Sequence, residues 1–528
     1  MPYNCIRVTR PGFFFAMKIL LAYQSGLPHR KDPYVTLLPT GLCYLHACLR
    51  EAGHDSILAN FSAWHTSKIK QELLAFKPEV IGISQWTHNR HASLELAALC
   101  RRTLPESTIV FGGGHATFCY EDILGEGSPV DVVVRGEGEL TLLELVAQRG
   151  SKADWHRIDG IAFFHNGTIT CTQPRKNIED LDRLPLPAQY LDSSIGLDLE
   201  LQPEFIVTTR GCPSTCYFCS SPDFWGRKVR FRSPEAIVDE ILYIREKYGL
   251  IYFSIRDDTF TADRKRVLKF CSLLQERNVT ILWNCQSRVT AIDEELVVAM
   301  KRAGCECIQL GVESGAPEIL RRLGKKIAPD QIEHASVLIR DVGINLSVYL
   351  ISDVPGESSD DLEMTIGLVR RIKPDHGYVA PLAYYPGTRL YKEALAAGIT
   401  SSTLFSDSHQ DALYVASRPG GSSPLLLKEL KKNQQTDPER FNRQKERLGY
   451  CYTTNVLAGE WYRQQGEYDK AILELQEITN LQPDNPWGWL LLADLYSEMG
   501  KINKGKKCYA KVLSIVPMHG PSKAAQTT

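Results

Sequence analysis

Cys212, Cys216 and Cys219 fall within Arg210-Gly211-Cys212-Pro213-Ser214-Thr215-Cys216-Tyr217-Phe218-Cys219, directly after a strand predicted over Phe205–Thr208. Three thiolates spaced C-x3-C-x2-C can bind three irons of a [4Fe–4S] cube and leave the fourth iron open. An open iron can be chelated by the amino and carboxylate groups of an external ligand. Phe218, just before the last cysteine, is placed to shield such a cluster from water. A structural zinc site would want four ligands, commonly as two pairs. No second C-x-x-C or H-x3-H follows, and the nearest candidate, Cys305-Glu306-Cys307, lies on a predicted strand. Buried core cysteines would not gather three in a short loop containing Gly211 and Pro213. The chain has 15 cysteines, an odd count, and lacks a secretion signal. Disulfides are therefore not expected, and the scattered cysteines read as small buried hydrophobes.

The elements that must position this loop alternate between apolar runs and amphipathic stretches. In residues 17–149 the predicted strands are Ile19–Tyr23, Val80–Ser84, Thr108–Phe111 and Val130–Val134. The predicted helices are Gly41–Ala52, Lys68–Phe76, Ala92–Thr103 and Glu139–Gln148. That alternation predicts an α/β, Rossmann-like domain with a parallel sheet. Small residues at the strand ends (Ser84, Gly112-Gly113-Gly114, Gly136 and Gly138) let a ligand approach the backbone there. Residues 150–200 read as a connector carrying a hairpin around Asn166-Gly167. Over 201–400 the strand candidates are Phe205–Thr208, Tyr252–Ile255, Ile281–Cys285, Cys307–Val312, Leu346–Ile351 and Tyr378–Ala383. Six βα units predict a partial, TIM-like barrel whose chemistry sits at the C-terminal strand ends. A second connector spans 401–450, with Gly420-Gly421-Ser422-Ser423 as its flexible join. Over 451–518, Gly459, Tyr462, Gly466 and Pro483 recur 34 residues later as Ala493, Tyr496, Gly500 and Pro517. That is the tetratricopeptide period, and it predicts an α-helical region of two repeats.

The cysteine motif and the barrel pattern resemble the radical S-adenosylmethionine (radical SAM) superfamily, over about residues 200–400. Asp257-Asp258-Thr259-Phe260, Asn284-Cys285-Gln286-Ser287-Arg288, Gly311-Val312-Glu313-Ser314-Gly315, Val354-Pro355-Gly356-Glu357-Ser358 and Tyr385-Pro386-Gly387-Thr388 resemble that family's strand-end landmarks. The resemblance implies a [4Fe–4S] cluster on Cys212, Cys216 and Cys219, and S-adenosylmethionine bound near Phe218, Asp257, Asp258, Arg288, Glu313 and Ser314. A carboxylate at such a strand end can equally cap the helix that follows. Residues 17–149 resemble the cobalamin-binding domain that precedes the radical domain in one large subgroup. The carrying residues are Thr40, Ser84, Thr87, Gly112, Gly113, Gly114, His115, Gly136 and Glu137. The Asp-x-His-x-x-Gly segment of the wider cobalamin family is absent; the nearest string, Asp407-Ser408-His409, lies outside the domain. The resemblance then implies a corrinoid held without a histidine on cobalt. An emptied fold that merely covers the barrel mouth is the alternative.

Together these imply a radical enzyme that methylates an unactivated centre of a small molecule, using an external reductant such as flavodoxin or ferredoxin. A non-methylating radical SAM cyclase or oxidoreductase, and a degenerate scaffold protein, are the alternatives. The repeats are expected to brace the barrel or dock a protein partner. The 528 residues carry 61 basic and 62 acidic side chains, a net charge of -1. That balance gives no reason to expect a nucleic-acid partner. No apolar run approaches the roughly 20 residues of a spanning helix, so a cytoplasmic protein is expected. Met17-Lys18-Ile19-Leu20-Leu21 looks like a domain's opening strand, which leaves Met1 and Met17 as rival starts.

Overall fold

The computed structural model describes residues 16–25, 37–148, 152–406, 413–416, 421–432 and 437–527. Asp407–His409 and Gly420 of the sequence reading lie outside them. The chain forms two compact units. The first runs to Gln202 and adds Gly211–Phe231 and Ala383–Tyr414; the second comprises Pro203–Arg210, Arg232–Leu382 and the chain from Val415 onward.

The first unit is built on an eight-stranded sheet. Its strands are β1 (Lys18–Tyr23), β2 (Asp55–Asn60), β3 (Val80–Ser84), β4 (Thr108–Gly112), β5 (Val132–Val134), β6 (Ile161–His165), β7 (Thr168–Cys171) and β8 (Ser194–Ile195). They are ordered β7-β6-β5-β4-β3-β1-β2-β8, with β1 to β5 mutually parallel and β6 and β7 antiparallel. All five residues of β3 are buried, as a parallel strand covered on both faces requires. Chain order reverses between β1 and β3, which creates a crevice at their carboxyl ends. Asn166 and Gly167 both take positive φ, 50° and 78°, as a tight primed hairpin turn needs. The stretch 150–200 does more than connect: β6, β7 and β8 extend the sheet at both edges. β2 escaped the sequence reading because Asp55, Ser56 and Asn60 interrupt its apolar run. Each polar group has a local partner: Ser56 Oγ bonds His46 Nδ1 at 2.7 Å, and Asn60 Nδ2 donates to Leu37 O at 2.8 Å.

The second unit holds six parallel strands ordered β16-β15-β14-β13-β12-β9. These are β9 (Phe205–Ile206), β12 (Tyr252–Ile255), β13 (Leu282–Ser287), β14 (Cys305–Glu313), β15 (Asn345–Ser352) and β16 (His376–Pro381); the two-residue strands β10 (Thr209–Arg210) and β11 (Arg230–Phe231) lie between β9 and β12 in the chain. The sheet is open, a partial barrel, as its sequence pattern predicts. Helices restart after the strand-end loops under side-chain caps. Asp263 accepts from Arg266 N at 3.0 Å, Asp293 from Leu296 N at 3.0 Å, and Ser358 forms a capping box with Asp361. Phe253, Phe260, Phe270 and Trp283 fill the core under β12 and β13.

The repeat helices Tyr452–Gln464, Tyr468–Leu481, Pro486–Glu498 and Ile502–Ile515 also belong to this unit. They pack on the N-terminal ends of the strands. The buried Tyr452 hydroxyl donates to Ile281 O at 2.6 Å, and Thr453 Oγ1 donates to Lys301 O at 3.1 Å. A Cβ on Gly304 would lie 2.3 Å from the Tyr452 oxygen, so the close approach requires glycine there. The bracing half of the sequence expectation thus has a physical basis. Among the described residues no helix is long and apolar enough to cross a membrane.

Candidate active site

The cysteine loop is part of the first unit and is anchored at both ends. Gly211 takes φ +102°, and a Cβ there would lie 2.6 Å from Lys228 O and 3.0 Å from Gly226 O. Only glycine can open the loop in this way. Cys212 N donates to Gly226 O at 3.3 Å, and Cys219 N donates to Cys216 O at 3.4 Å, folding the three cysteines into one turn-rich segment. Cys212 is buried, and Cys216, Phe218 and Cys219 are half-buried. The Arg389 guanidinium lies over the Tyr217 ring at 4.0 Å, and Leu390 N donates to Tyr217 O at 2.8 Å. At the far end Arg230 donates to Trp225 O (3.0 Å) and Ile178 O (2.8 Å) and pairs with Glu137 Oε1 at 2.6 Å. Both side chains of that ion pair are almost fully buried, at 2% and 3% exposure. The described residues hold no set of three or more His, Cys, Asp or Glu placed to bind a single metal ion. Three thiolates that each hold a different iron of one cube need no such convergence.

Glu137, read from the sequence as a corrinoid contact, also holds the cysteine loop. Its second oxygen accepts from Ile178 N at 2.8 Å, so its carboxylate clamps the cysteine loop to the sheet domain. Thr87 and His115 are bonded to each other. His115 Nδ1 bonds Thr87 Oγ1 at 3.2 Å, and the ring meets Phe405 edge-on at 5.5 Å. Burial, with Arg90 adding to it, pushes the His115 pKa down to about 3, so the imidazole is neutral.

The strand-end glycines are where the sequence put them. Gly113 takes φ +102° with the Gln85 carbonyl where its Cβ would be, and Gly114 lies under the Trp86 ring. Gly136, at φ +75°, has open space in front of it, and its N–H is held by Thr117 Oγ1 at 3.1 Å. Thr40, half-buried, opens the helix Thr40–Glu51. Ser84 ends β3, and its carbonyl accepts from Asn89 Nδ2 at 3.2 Å. The reading missed Tyr23, His88 and Asn89, which occupy the β1/β3 crevice. Tyr23 Oη bonds His88 Nε2 at 2.8 Å, and Asn89 Nδ2 also donates to Gln24 O at 2.9 Å. The strand order marks this place, and strand order is not visible in local sequence.

In the second unit the expected S-adenosylmethionine residues divide into two groups. Asp257 is buried, and its carboxylate accepts from Thr208 N at 2.6 Å, Thr209 N at 2.9 Å and the Thr208 hydroxyl. The Arg266 guanidinium donates to Thr208 O at 3.2 Å and to its hydroxyl. With three donors on its carboxylate, Asp257 fixes the backbone that leaves β9. Burial raises its pKa, while Arg266 and the three donors oppose that rise. Ser314 is likewise committed: its oxygen bonds Thr365 Oγ1 at 2.9 Å and accepts from Ala316 N at 3.1 Å.

Asp258, Arg288 and Glu313 lie at or just beyond the ends of β12, β13 and β14. Asp258 is exposed at the end of β12. Arg288 follows β13, alternating with half-buried Asn284 and Gln286, and its guanidinium has no hydrogen-bond partner among the described residues. Glu313 ends β14 with φ +65° and pairs with Lys325 at 2.9 Å. A non-glycine residue in this left-handed region costs about 1–2 kcal/mol. Asp353, just beyond β15, repeats the conformation at φ +59°. Two carboxylate residues with left-handed backbone thus stand at adjacent strand ends. Gly311 leaves room for the Glu313–Lys325 pair, since a Cβ there would lie 2.7 Å from Glu313 Oε1.

The chain matches the Radical SAM superfamily model over residues 206–369 and the B12 binding domain model over 32–146. Tetratricopeptide repeat models match 459–500 and 488–517. It is 32% identical over 360 residues to the uncharacterized methyltransferase PH0819 of Pyrococcus horikoshii, covering 68% of this chain and 78% of that protein. It is 30% identical over 366 residues to the anaerobic magnesium-protoporphyrin IX monomethyl ester cyclase of Rubrivivax gelatinosus, covering 67% of this chain and 66% of the cyclase. Its fold is similar to that of the radical S-adenosylmethionine methyltransferase TsrM from Kitasatospora setae, solved with cobalamin and a [4Fe–4S] cluster. There the TM-score is 0.64 at 16% identity, with 88% of this chain and 100% of that one covered. The chain belongs to the radical SAM superfamily, as a member with a B12-binding domain ahead of its radical SAM domain and tetratricopeptide repeats behind it.

Proposed function

We propose that this enzyme transfers a methyl group from S-adenosylmethionine to an unactivated centre of a small molecule, in the cytoplasm and with cobalamin as second cofactor. The observation that carries the reading is the buried Glu137–Arg230 clamp. It makes the three-cysteine loop and the B12-type sheet parts of one compact unit. Relative placement of two cofactors is what a reaction using both must control. When bound, the cluster supplies the low-potential electron that cleaves a sulfonium, and the corrinoid supplies cobalt as a methyl carrier.

The chain's own residues do the rest. Cys212, Cys216 and Cys219 are the proposed cluster ligands, with Phe218 excluding water beside them. Arg288 is the proposed partner of the methionyl carboxylate, its planar fork suited to bidentate pairing. Glu313 and Asp258 are the proposed acceptors for the amine and ribose hydroxyls. Thr40, Ser84, Gly112 to Gly114 and Gly136 line the proposed corrinoid approach. The electron comes from an external reductant of the flavodoxin or ferredoxin kind, and the repeats offer the surface for any protein partner.

The test is an anaerobic incubation with cobalamin, reductant and methyl-labelled S-adenosylmethionine, scored for 5′-deoxyadenosine and S-adenosylhomocysteine. Both are expected. 5′-Deoxyadenosine alone, with its methyl label recovered only in methionine and none in the product, would replace methyl transfer with the ring-forming or oxidising chemistry that the cyclase relative favours.

A further inference from the structure

A cleft of about 630 Å³ opens in the second unit at the N-terminal ends of β15 and β16, the end of the strands away from Glu313 and Asp353. It lies between the C-terminal end of the helix Pro329–Asp341 and the helix Glu439–Leu448 that leads into the repeats. Six cations line it, Arg340, Lys373, Lys432, Arg440, Arg443 and Arg447, against three carboxylates.

The carboxylates are already engaged. Asp437 pairs with Arg443 at 2.6 Å, and Asp341 stands 3.8 Å from Arg447. Asp375 pairs with Arg440 at 3.2 Å, and its other oxygen accepts from Leu346 N at 2.9 Å. Among the described residues Arg340 and Lys432 have no carboxylate within ion-pair distance. The Nε atoms of Arg340 and Arg440 are buried and lack an acceptor there. Guanidinium donors removed from water without an acceptor are costly, and two such groups in one cation-rich cleft call for an anion. Burial also holds the Arg340 pKa below its ordinary value, with Arg440 adding to the effect.

We propose that this cleft binds a small molecule carrying two or more phosphate groups. Guanidinium forks match phosphate oxygens in planar, bidentate geometry, and the volume suits a ligand of metabolite size. Bound there, the ligand would tie the helix Glu439–Leu448 to the barrel floor. The inference is independent of the reaction proposed above.

Inorganic pyrophosphate and orthophosphate are the probes, titrated into the full-length protein at constant ionic strength so that screening is unchanged. Melting temperature and isothermal calorimetry are read together. Pyrophosphate is expected to raise the melting temperature saturably and to bind more tightly than orthophosphate. Arg340→Gln should weaken binding at least tenfold. Lys432→Gln, at the exposed rim, should weaken it several-fold with the ligand-free melting temperature unchanged, which keeps the test decisive if Arg340→Gln does not fold. Arg321→Gln, on an exposed helix of the same unit, should bind like the parent. No saturable effect, or equal affinity in the parent and Lys432→Gln, or an equal loss in Arg321→Gln, would overturn the proposal.

Discussion

Replacing Arg230 by Met tests whether the cysteine loop is held by a buried charge pair. Arg230 contributes one ion pair to Glu137 Oε1 at 2.6 Å and two hydrogen bonds to main-chain carbonyls at 2.8 and 3.0 Å. The substitution leaves the Glu137 carboxylate charged, 3% exposed and without its cation. Removing one partner of a buried pair typically costs about 3–5 kcal/mol. For a unit of this size that corresponds to a fall of roughly 6–20 °C in its unfolding temperature. Glu137→Gln combined with Arg230→Met removes both charges and should recover much of the loss. The assay is calorimetry of the two variants beside the parent, with iron per chain measured after anaerobic reconstitution. Arg230→Met should lose iron along with stability, because Trp225 and the loop before it lose their anchor. A variant within about 1 kcal/mol of the parent and fully loaded with iron would refute the clamp.

Asp257→Asn should cost about 2–3 kcal/mol, since an amide cannot replace the charged acceptor of three buried donors, whereas Arg288→Met should weaken S-adenosylmethionine binding at least tenfold with no change in melting temperature; equilibrium binding and melting curves separate the two. Acidification should destabilise the first unit through two buried histidines. The pKa values of His46 and His115 are depressed to about 4 and about 3 from the ordinary 6.5, with burial the main cause. Below 6.5 the unfolded chain takes up protons that the folded one refuses, so stability falls as pH drops toward 4, by about 1.4 kcal/mol per unit for each histidine. His54 and His88, also lowered by burial, add to the effect; His115→Asn should flatten the slope in pH-dependent denaturation, and an unchanged slope would contradict the assignment. Tyr452→Phe strips the Ile281 carbonyl of its donor and should cost the second unit about 1–2 kcal/mol in urea denaturation, showing that the repeats brace the strands.

Features written in local sequence were legible. The cysteine spacing, the strand and helix periods of the six βα units and the Asn166-Gly167 turn each depend on neighbours a few residues apart, and the 34-residue period is a direct repeat of residue types along the chain. What was not legible depends on long-range placement. Asp257 and Glu137 are carboxylates beside family landmarks, and sequence alone does not tell a ligand contact from a structural one. The donors that occupy them, Thr208 and Thr209 for the first and Arg230 and Ile178 for the second, lie 41 to 93 positions away in the chain. β2 was hidden because Ser56 and Asn60 are buried through partners that its own pattern cannot reveal. The units also interleave: residues 211–231 and 383–400, read as barrel, fold with the first unit. Glu313 and Asp353 gave no sequence sign of their left-handed backbone, which asparagine or glycine would have advertised.

The central claim is that Cys212, Cys216 and Cys219 share one cube with an iron left for S-adenosylmethionine. Mössbauer and electron paramagnetic resonance spectra of the anaerobically reconstituted protein test it most directly. The parent should carry about four irons per chain as a [4Fe–4S] centre, and its reduced signal should shift when S-adenosylmethionine is added. Replacing the three cysteines by alanine should abolish both. A cubane signal that survives the triple replacement, or one indifferent to S-adenosylmethionine in the parent, would contradict the account.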